Sequence, residues 1–133
     1  MSRQNTEAVG RFVDAFNARD VDAIVEMAAP SCVIIAQRSK IEGAFTGPDG
    51  ARRWAEATYE WAPDSHFVVE RVLPTGDDRV VVLGRQTGTA GLGGVPFDVP
   101  LAVVAEVDKG LLKKADAHYA THAEALAAAG LAE

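Results

Sequence analysis

What most constrains this chain is a change of period along it. In the first half, apolar residues recur at helical spacing, interrupted once by a short β-branched run. From His66 to Tyr119 they form strand-like runs separated by short turns. Val9, Phe12, Val13 and Phe16 fall at i, i+3, i+4 and i+7, one face of a helix. Asn5 or Thr6 is its expected cap, and Glu7 suits the positive end of the helix dipole. Asp20 caps a second short helix bearing Val21, Ile24, Val25 and Ala28, and Pro30 stops it, because the residue before proline avoids the helical region. Cys32 to Gln37 reads as a strand. A third helix begins near Pro48, carries Ala51, Trp54, Ala55, Thr58 and Trp61 on its apolar stripe, and ends at Pro63-Asp64.

The remaining segments predict a meander. Strands run over His66 to Leu73, Arg79 to about Gly91, Val95 to Val107 and Leu111 to about Tyr119. The turns between them are Pro74 to Asp78, Leu92-Gly93-Gly94 and Asp108-Lys109-Gly110. Thr121 and Glu124 have the spacing of a capping box, so a short last helix runs up to Gly130. Helices followed by strands indicate an α+β fold, a curved antiparallel sheet wrapped around three helices, and 133 residues fit one domain over 1–133.

Composition excludes several roles. The net charge is −6, and the densest basic pairs are Arg52-Arg53 and Lys113-Lys114, which is no footprint for nucleic acid. No apolar run approaches the ~20 residues that span a membrane, and Met1 to Asn5 lacks a signal-peptide stretch. The single cysteine, Cys32, lies in an apolar run and predicts a buried thiol in a reducing compartment. The expectation is a cytoplasmic protein without a cofactor.

Three stretches carry a family resemblance: Phe12 to Asp20, Gly43 to Gly50 leading into Trp54, and the Asp108-Lys109-Gly110 hairpin followed by Tyr119 through Glu124-Ala125-Leu126 to Gly130. With them the chain resembles SnoaL-like domains of the nuclear transport factor 2-like superfamily. The resemblance implies a cone whose open end leads to a pocket, and often a dimer joined through the outer sheet face. The superfamily hosts isomerases, cyclases, hydrolases and non-catalytic binders, so fold alone does not select among them.

Residue types do select against some. An isomerase site of the ketosteroid kind needs a tyrosine, a carboxylate base and a neutral acid; aligned by residue type, those positions hold Phe12, Ala36 and Val103, none of which moves a proton. The epoxide-hydrolase arrangement requires Arg-x-Asp on one strand, and no strand has it. A cyclase-type acid late in the sheet leaves Asp116 as the one catalytic candidate. Alternation turns Ala115, Ala117 and Tyr119 inward and Asp116 and His118 outward, unless a bulge near Gly110 reverses them. Asp116, His118 and His122 have poor spacing for a metal, His66 has no companion, and the glycines at 91–94 do not form a phosphate loop.

The expected pocket is therefore mostly hydrophobic. Phe12 and Phe16 line it from the first helix, Trp54 from the third, Ala36 and Arg38 from the first strand, Val103 from the third strand of the meander and Tyr119 from the last. Arg85 shares parity with Val81 and Leu83; with those two inward, it enters the cone and meets an acidic or carbonyl group of the ligand. Val80, Val82, Ala102 and Val104 then form an outer apolar patch that predicts a homodimer. The functional expectation is a small-molecule protein, either an enzyme on a polyketide-like or terpenoid-like substrate or a non-catalytic binding or dimerising accessory domain.

Overall fold

A computed structural model describes residues 2–36, 43–76, 78–91, 93–117, 119 and 121–131. Helix α1 spans Ser2–Asn17 and α2 Val21–Met27; β1 is Ala28–Ile35, β2 Phe45–Thr46 and α3 Gly47–Trp61. The meander follows as β3 (His66–Thr75), β4 (Arg79–Ala90), β5 (Val95–Asp108) and β6 (Leu111–Asp116), and α4 (His122–Ala128) closes the chain. Arg38, His118, Gln37 and Leu92, all invoked above, lie outside the described residues.

Local chemistry accounts for most boundaries. The Asp20 side chain accepts a hydrogen bond from the Ala23 amide at 3.1 Å, capping α2. Thr121 does the same for the Glu124 amide at 3.1 Å, and Gly130, at φ 77, ends α4 in the left-handed conformation. Lys109 and Gly110 both have positive φ (52 and 79), the two-residue turn whose twist matches paired strands. Two boundaries correct the sequence reading. Helix α1 starts at Ser2, so Asn5 is buried inside it and does not cap it. Ala28 is not the end of α2 but an extended residue (φ −81, ψ 126) that opens β1, because the chain must already be extended ahead of Pro30.

The six strands form one curved sheet in the order β2-β1-β6-β5-β4-β3. All neighbours are antiparallel except β1 and β6, which pair in parallel with Ile34 opposite Ala115 and Ile35 opposite Asp116. Such a pair requires a long crossover, and here α3 and the meander supply it.

Register decides the faces. Val80 pairs with Ala105 and Val82 with Val103, and all four belong to the core packed against α1, α2 and α3, with Val9, Phe16, Ile24, Ala51 and Ala55. Val81, Leu83, Ala102 and Val104 occupy the other face, beneath Ala125, Leu126 and Ala129 of α4. The outer apolar patch predicted above is thus corrected. Val80 and Val82 face the cone, while Ala102 and Val104 are covered by the chain's own last helix, so these four residues give no basis for a dimer contact. The run Val80-Val81-Val82-Leu83 has no alternation, because both of its faces are buried.

Two devices hold the helices against the sheet. The Asn17 amide nitrogen donates to the Phe67 carbonyl at 3.1 Å, and its oxygen accepts from the Phe67 amide at 2.8 Å. Arg19, in a left-handed conformation at φ 59, donates to the carbonyls of Asn17, Pro63 and Ser65, and its guanidinium lies 5.7 Å from the Tyr59 ring centre. At Gly84, opposite the β3 irregularity between Val69 and Arg71, a Cβ would run into the Val68 carbonyl oxygen and come within 2.8 Å of the Phe67 ring. Only glycine permits that close approach.

Candidate functional site

The apolar stripe of α1 faces the stripe of α3 across the mouth of the sheet, and their aromatic side chains meet there. Trp54 stacks on Phe12 (ring centres 5.9 Å apart, planes at 22°) and on Phe16 (5.5 Å, 28°). Tyr59 leans on Phe16 at 5.5 Å and donates its hydroxyl hydrogen to the Phe16 carbonyl at 2.7 Å. Burial pushes the Tyr59 phenol up to about 12, with Arg19 partly opposing the shift.

Behind this aromatic wall lies an inner chamber of about 70 Å³. Its walls are apolar throughout: Phe12, Phe16 and Trp54 on the helical side, Ile34, Val82, Val103, Ala105 and Ala115 on the sheet side, and Phe67 near the Asn17 clamp. In front lies a vestibule of about 340 Å³, lined by Ala36, Trp54, Thr58, Trp61, Gln86, Leu101 and Ala117. Trp54 and Ala117 line both spaces. Trp61 stacks on Phe97 at 5.0 Å and forms the rim. There the Asp64 carboxylate accepts from the Thr89 amide (2.8 Å) and hydroxyl (2.9 Å), which hold its pKa below the usual carboxylate range.

Two polar side chains face the vestibule. Thr58 donates its hydroxyl hydrogen to the Trp54 carbonyl at 2.8 Å. Gln86 donates from its amide nitrogen to the hydroxyl oxygen of Ser65 at 2.8 Å, and Ser65 is fully buried. Among the described residues, no carboxylate, histidine, lysine, arginine or tyrosine lines either space.

The structure separates the residues singled out from the sequence into two groups. Phe12, Phe16, Trp54 and Val103 line the inner chamber, and Ala36 lines the vestibule. Arg85 does not enter the cone. It sits on the outer face, 3.4 Å from the Glu70 carboxylate and hydrogen-bonded to Asp98. Since Val82, not Val81, faces inward, the parity that placed Arg85 inside was reversed, and the adjacent Gln86 takes the inward position. Tyr119 is likewise corrected: β6 ends at Asp116, and the tyrosine packs into the outer cluster under α4.

Asp116, opposite Val104 of that same face, is buried there, and Tyr119 donates its hydroxyl to the carboxylate at 3.4 Å. Burial first, and the Asp116 charge second, raise the Tyr119 pKa. The sheet therefore stands between Asp116 and the cone. His122 has its Nε2 2.9 Å from the Gly84 carbonyl, where the imidazole N–H helps dock α4, and among the described residues no three metal-ligating side chains gather.

A second hollow of about 360 Å³ lies on the outer face between Glu70, Arg71 and Leu83 of the sheet and His122, Ala123 and Leu126 of α4. It is the most polar of these spaces, and the cone, with its apolar chamber and aromatic walls, has the character of a small-molecule site. Gln86 was missed in the sequence, where nothing distinguishes it from a solvated strand residue.

The family model for the SnoaL-like domain matches residues 9–115. Among solved structures, a candidate SnoaL-like polyketide cyclase from Jannaschia sp. CCS1 is 26% identical over 98% of this chain and 94% of its own, with a TM-score of 0.75. Bal32a, from a soil-derived mobile gene cassette, is 27% identical over 88% and 89%, with a TM-score of 0.77. A Mycobacterium tuberculosis protein in complex with estradiol-17β-hemisuccinate shares the fold at 15% identity, over 87% and 93%, with a TM-score of 0.76. No curated protein sequence matches the chain.

Proposed function

The chain belongs to the SnoaL-like domain family, and from that premise we propose that it binds a small, neutral, ring-containing molecule of polyketide-like or terpenoid-like character in the cone. The observation that carries this reading is the pairing of spaces: an all-apolar chamber behind the Phe12–Trp54–Phe16 stack, opening into a vestibule of about 340 Å³. That volume falls within the few-hundred-Å³ range of small-molecule pockets. The inner chamber of about 70 Å³ suits an alkyl end of the ligand, and the vestibule suits its rings. The complex of the Mycobacterium tuberculosis protein with estradiol-17β-hemisuccinate is consistent with this reading.

Binding is favoured over acid–base catalysis by the placement of the titratable groups. Asp116 and Tyr119 lie across the sheet from the cone, and Arg85 is committed to Glu70 and Asp98. A charged ligand would enter an apolar space without a counter-charge among the described residues and would lose its hydration uncompensated.

Calorimetric titration with naphthalene tests the reading. One saturable site with a negative heat-capacity change is expected. The Leu101→Trp variant places an indole in the vestibule and is expected to abolish binding. Absence of saturable heat in the parent, or undiminished binding in the blocked variant, would sink the assignment.

A further inference from the structure

We propose that Gln86 determines ligand specificity: its side-chain amide, at the vestibule wall, selects molecules that carry a hydroxyl group over otherwise identical molecules that do not. This rests on the reading of the cone as the binding site.

The orientation of Gln86 is set from behind. Its amide nitrogen donates to the Ser65 hydroxyl oxygen at 2.8 Å. Ser65 is itself immobilised: it has no exposed surface, its amide donates to the Ala62 carbonyl at 2.9 Å, and its carbonyl accepts from the Arg19 guanidinium at 2.8 Å. Arg19 in turn is anchored on the carbonyls of Asn17 and Pro63. A chain of hydrogen bonds thus runs from the α1–α2 junction to the pocket wall and anchors the amide there. With one hydrogen of its nitrogen engaged by Ser65, the amide keeps its oxygen and a second hydrogen for other partners. Among the described residues that oxygen accepts no hydrogen bond, and Gln86 is half-buried. A half-buried acceptor without a protein partner is available to a ligand hydroxyl.

The second polar side chain of the vestibule points to the same selectivity. Thr58 commits its hydroxyl hydrogen to the Trp54 carbonyl. Thr58 therefore offers no hydrogen to a ligand, and Gln86 keeps one amide hydrogen beside its oxygen, so a ligand hydroxyl can use the acceptor as well as the donor whereas a carbonyl or ether oxygen can use only the donor. The structure therefore favours phenols and alcohols over ketones, ethers and carboxylates. Gln86 acts on the ligand directly, and Ser65 is a positioning residue.

Three matched probes test this by calorimetry at neutral pH: naphthalene, 1-naphthol and 1-methoxynaphthalene. The expected result is that 1-naphthol binds about tenfold more tightly than naphthalene, the size of one well-placed neutral hydrogen bond, and that the methoxy compound gains less than 1-naphthol does. Gln86→Met, of similar length and apolar, is expected to level the three affinities and leave naphthalene binding intact. Ser65→Ala is expected to shrink the preference for the hydroxyl without changing naphthalene affinity, a split that general loosening of the fold would not produce. Equal binding of naphthalene and 1-naphthol by the parent overturns the role of Gln86 and leaves the pocket reading standing. So does a preference for the methoxy compound, or a hydroxyl preference that survives in Gln86→Met. Failure of all three probes to bind overturns both readings.

Discussion

Replacing Leu126 with aspartate should detach the last helix and leave the rest of the fold in place. Helix α4 has only seven residues, and helices shorter than ~12 residues do not persist in water on their own propensity. Its order therefore depends on three side chains turned to the sheet, Ala125, Leu126 and Ala129, resting on Val81, Leu83, Ala102 and Val104. Leu126 is 6% exposed, and burying a leucine contributes ~2–3 kcal/mol, each alanine methyl ~0.8. That apolar contribution, with the capping bond of Thr121 and the His122 contact to Gly84, is what holds the segment against its chain entropy. Leu126 supplies the largest share of that contribution, so losing it and placing a carboxylate in the same apolar seat undoes the docking. The four sheet residues then become a contiguous exposed patch. Expected readouts are increased binding of a hydrophobic dye, concentration-dependent self-association in sedimentation velocity that exceeds the parent's, and a far-UV spectrum that loses only a little helix. A variant with unchanged dye binding and sedimentation would refute the argument, because it would mean that α4 is not what shields the outer face.

Three further outcomes follow from the same geometry. Gly84→Ala should lower stability by ~3 kcal/mol or more in urea unfolding, since the new methyl meets backbone at Val68 and not a movable side chain; an unchanged midpoint would show that β3 can shift. Cys32 is fully buried, and burial pushes its thiol from 9.0 up to about 11. Because the folded value lies above the unfolded one, its contribution is complete below pH about 9 and is lost as pH rises towards about 11, ~3 kcal/mol in all; Cys32→Ala should flatten the alkaline fall in stability, and an identical pH slope would count against it. Arg85→Ala should change stability by less than ~1 kcal/mol, its partners being half-exposed, and should bind the naphthyl probes as the parent does; a weakened affinity would return the arginine to the pocket.

What the sequence determined on its own is what short-range physics governs. The Val9–Phe12–Val13–Phe16 spacing, the caps at Asp20 and Thr121, the proline at the start of α3 and the Lys109-Gly110 turn are local choices of backbone and period, and each element appears where those choices put it. The aromatic residues of the cone were legible for the same reason: a helical stripe that must be buried brings Phe12, Phe16 and Trp54 to the core side wherever the sheet lies. The face of a strand is a different kind of quantity. Val80 to Leu83 are apolar at every position, so the period that reveals a half-buried strand is missing, and only the register against β5 and the cover supplied by α4 decide that Val82 and Gln86 look into the cone while Arg85 and Val81 look out. The parallel pairing of β1 with β6, and the burial of Asp116 with Tyr119 on the far side of the sheet, were decided the same way, by contacts between segments roughly eighty residues apart in the chain. A side chain alternates by local geometry, but whether it meets a ligand, a helix or water depends on what the rest of the chain lays against that face.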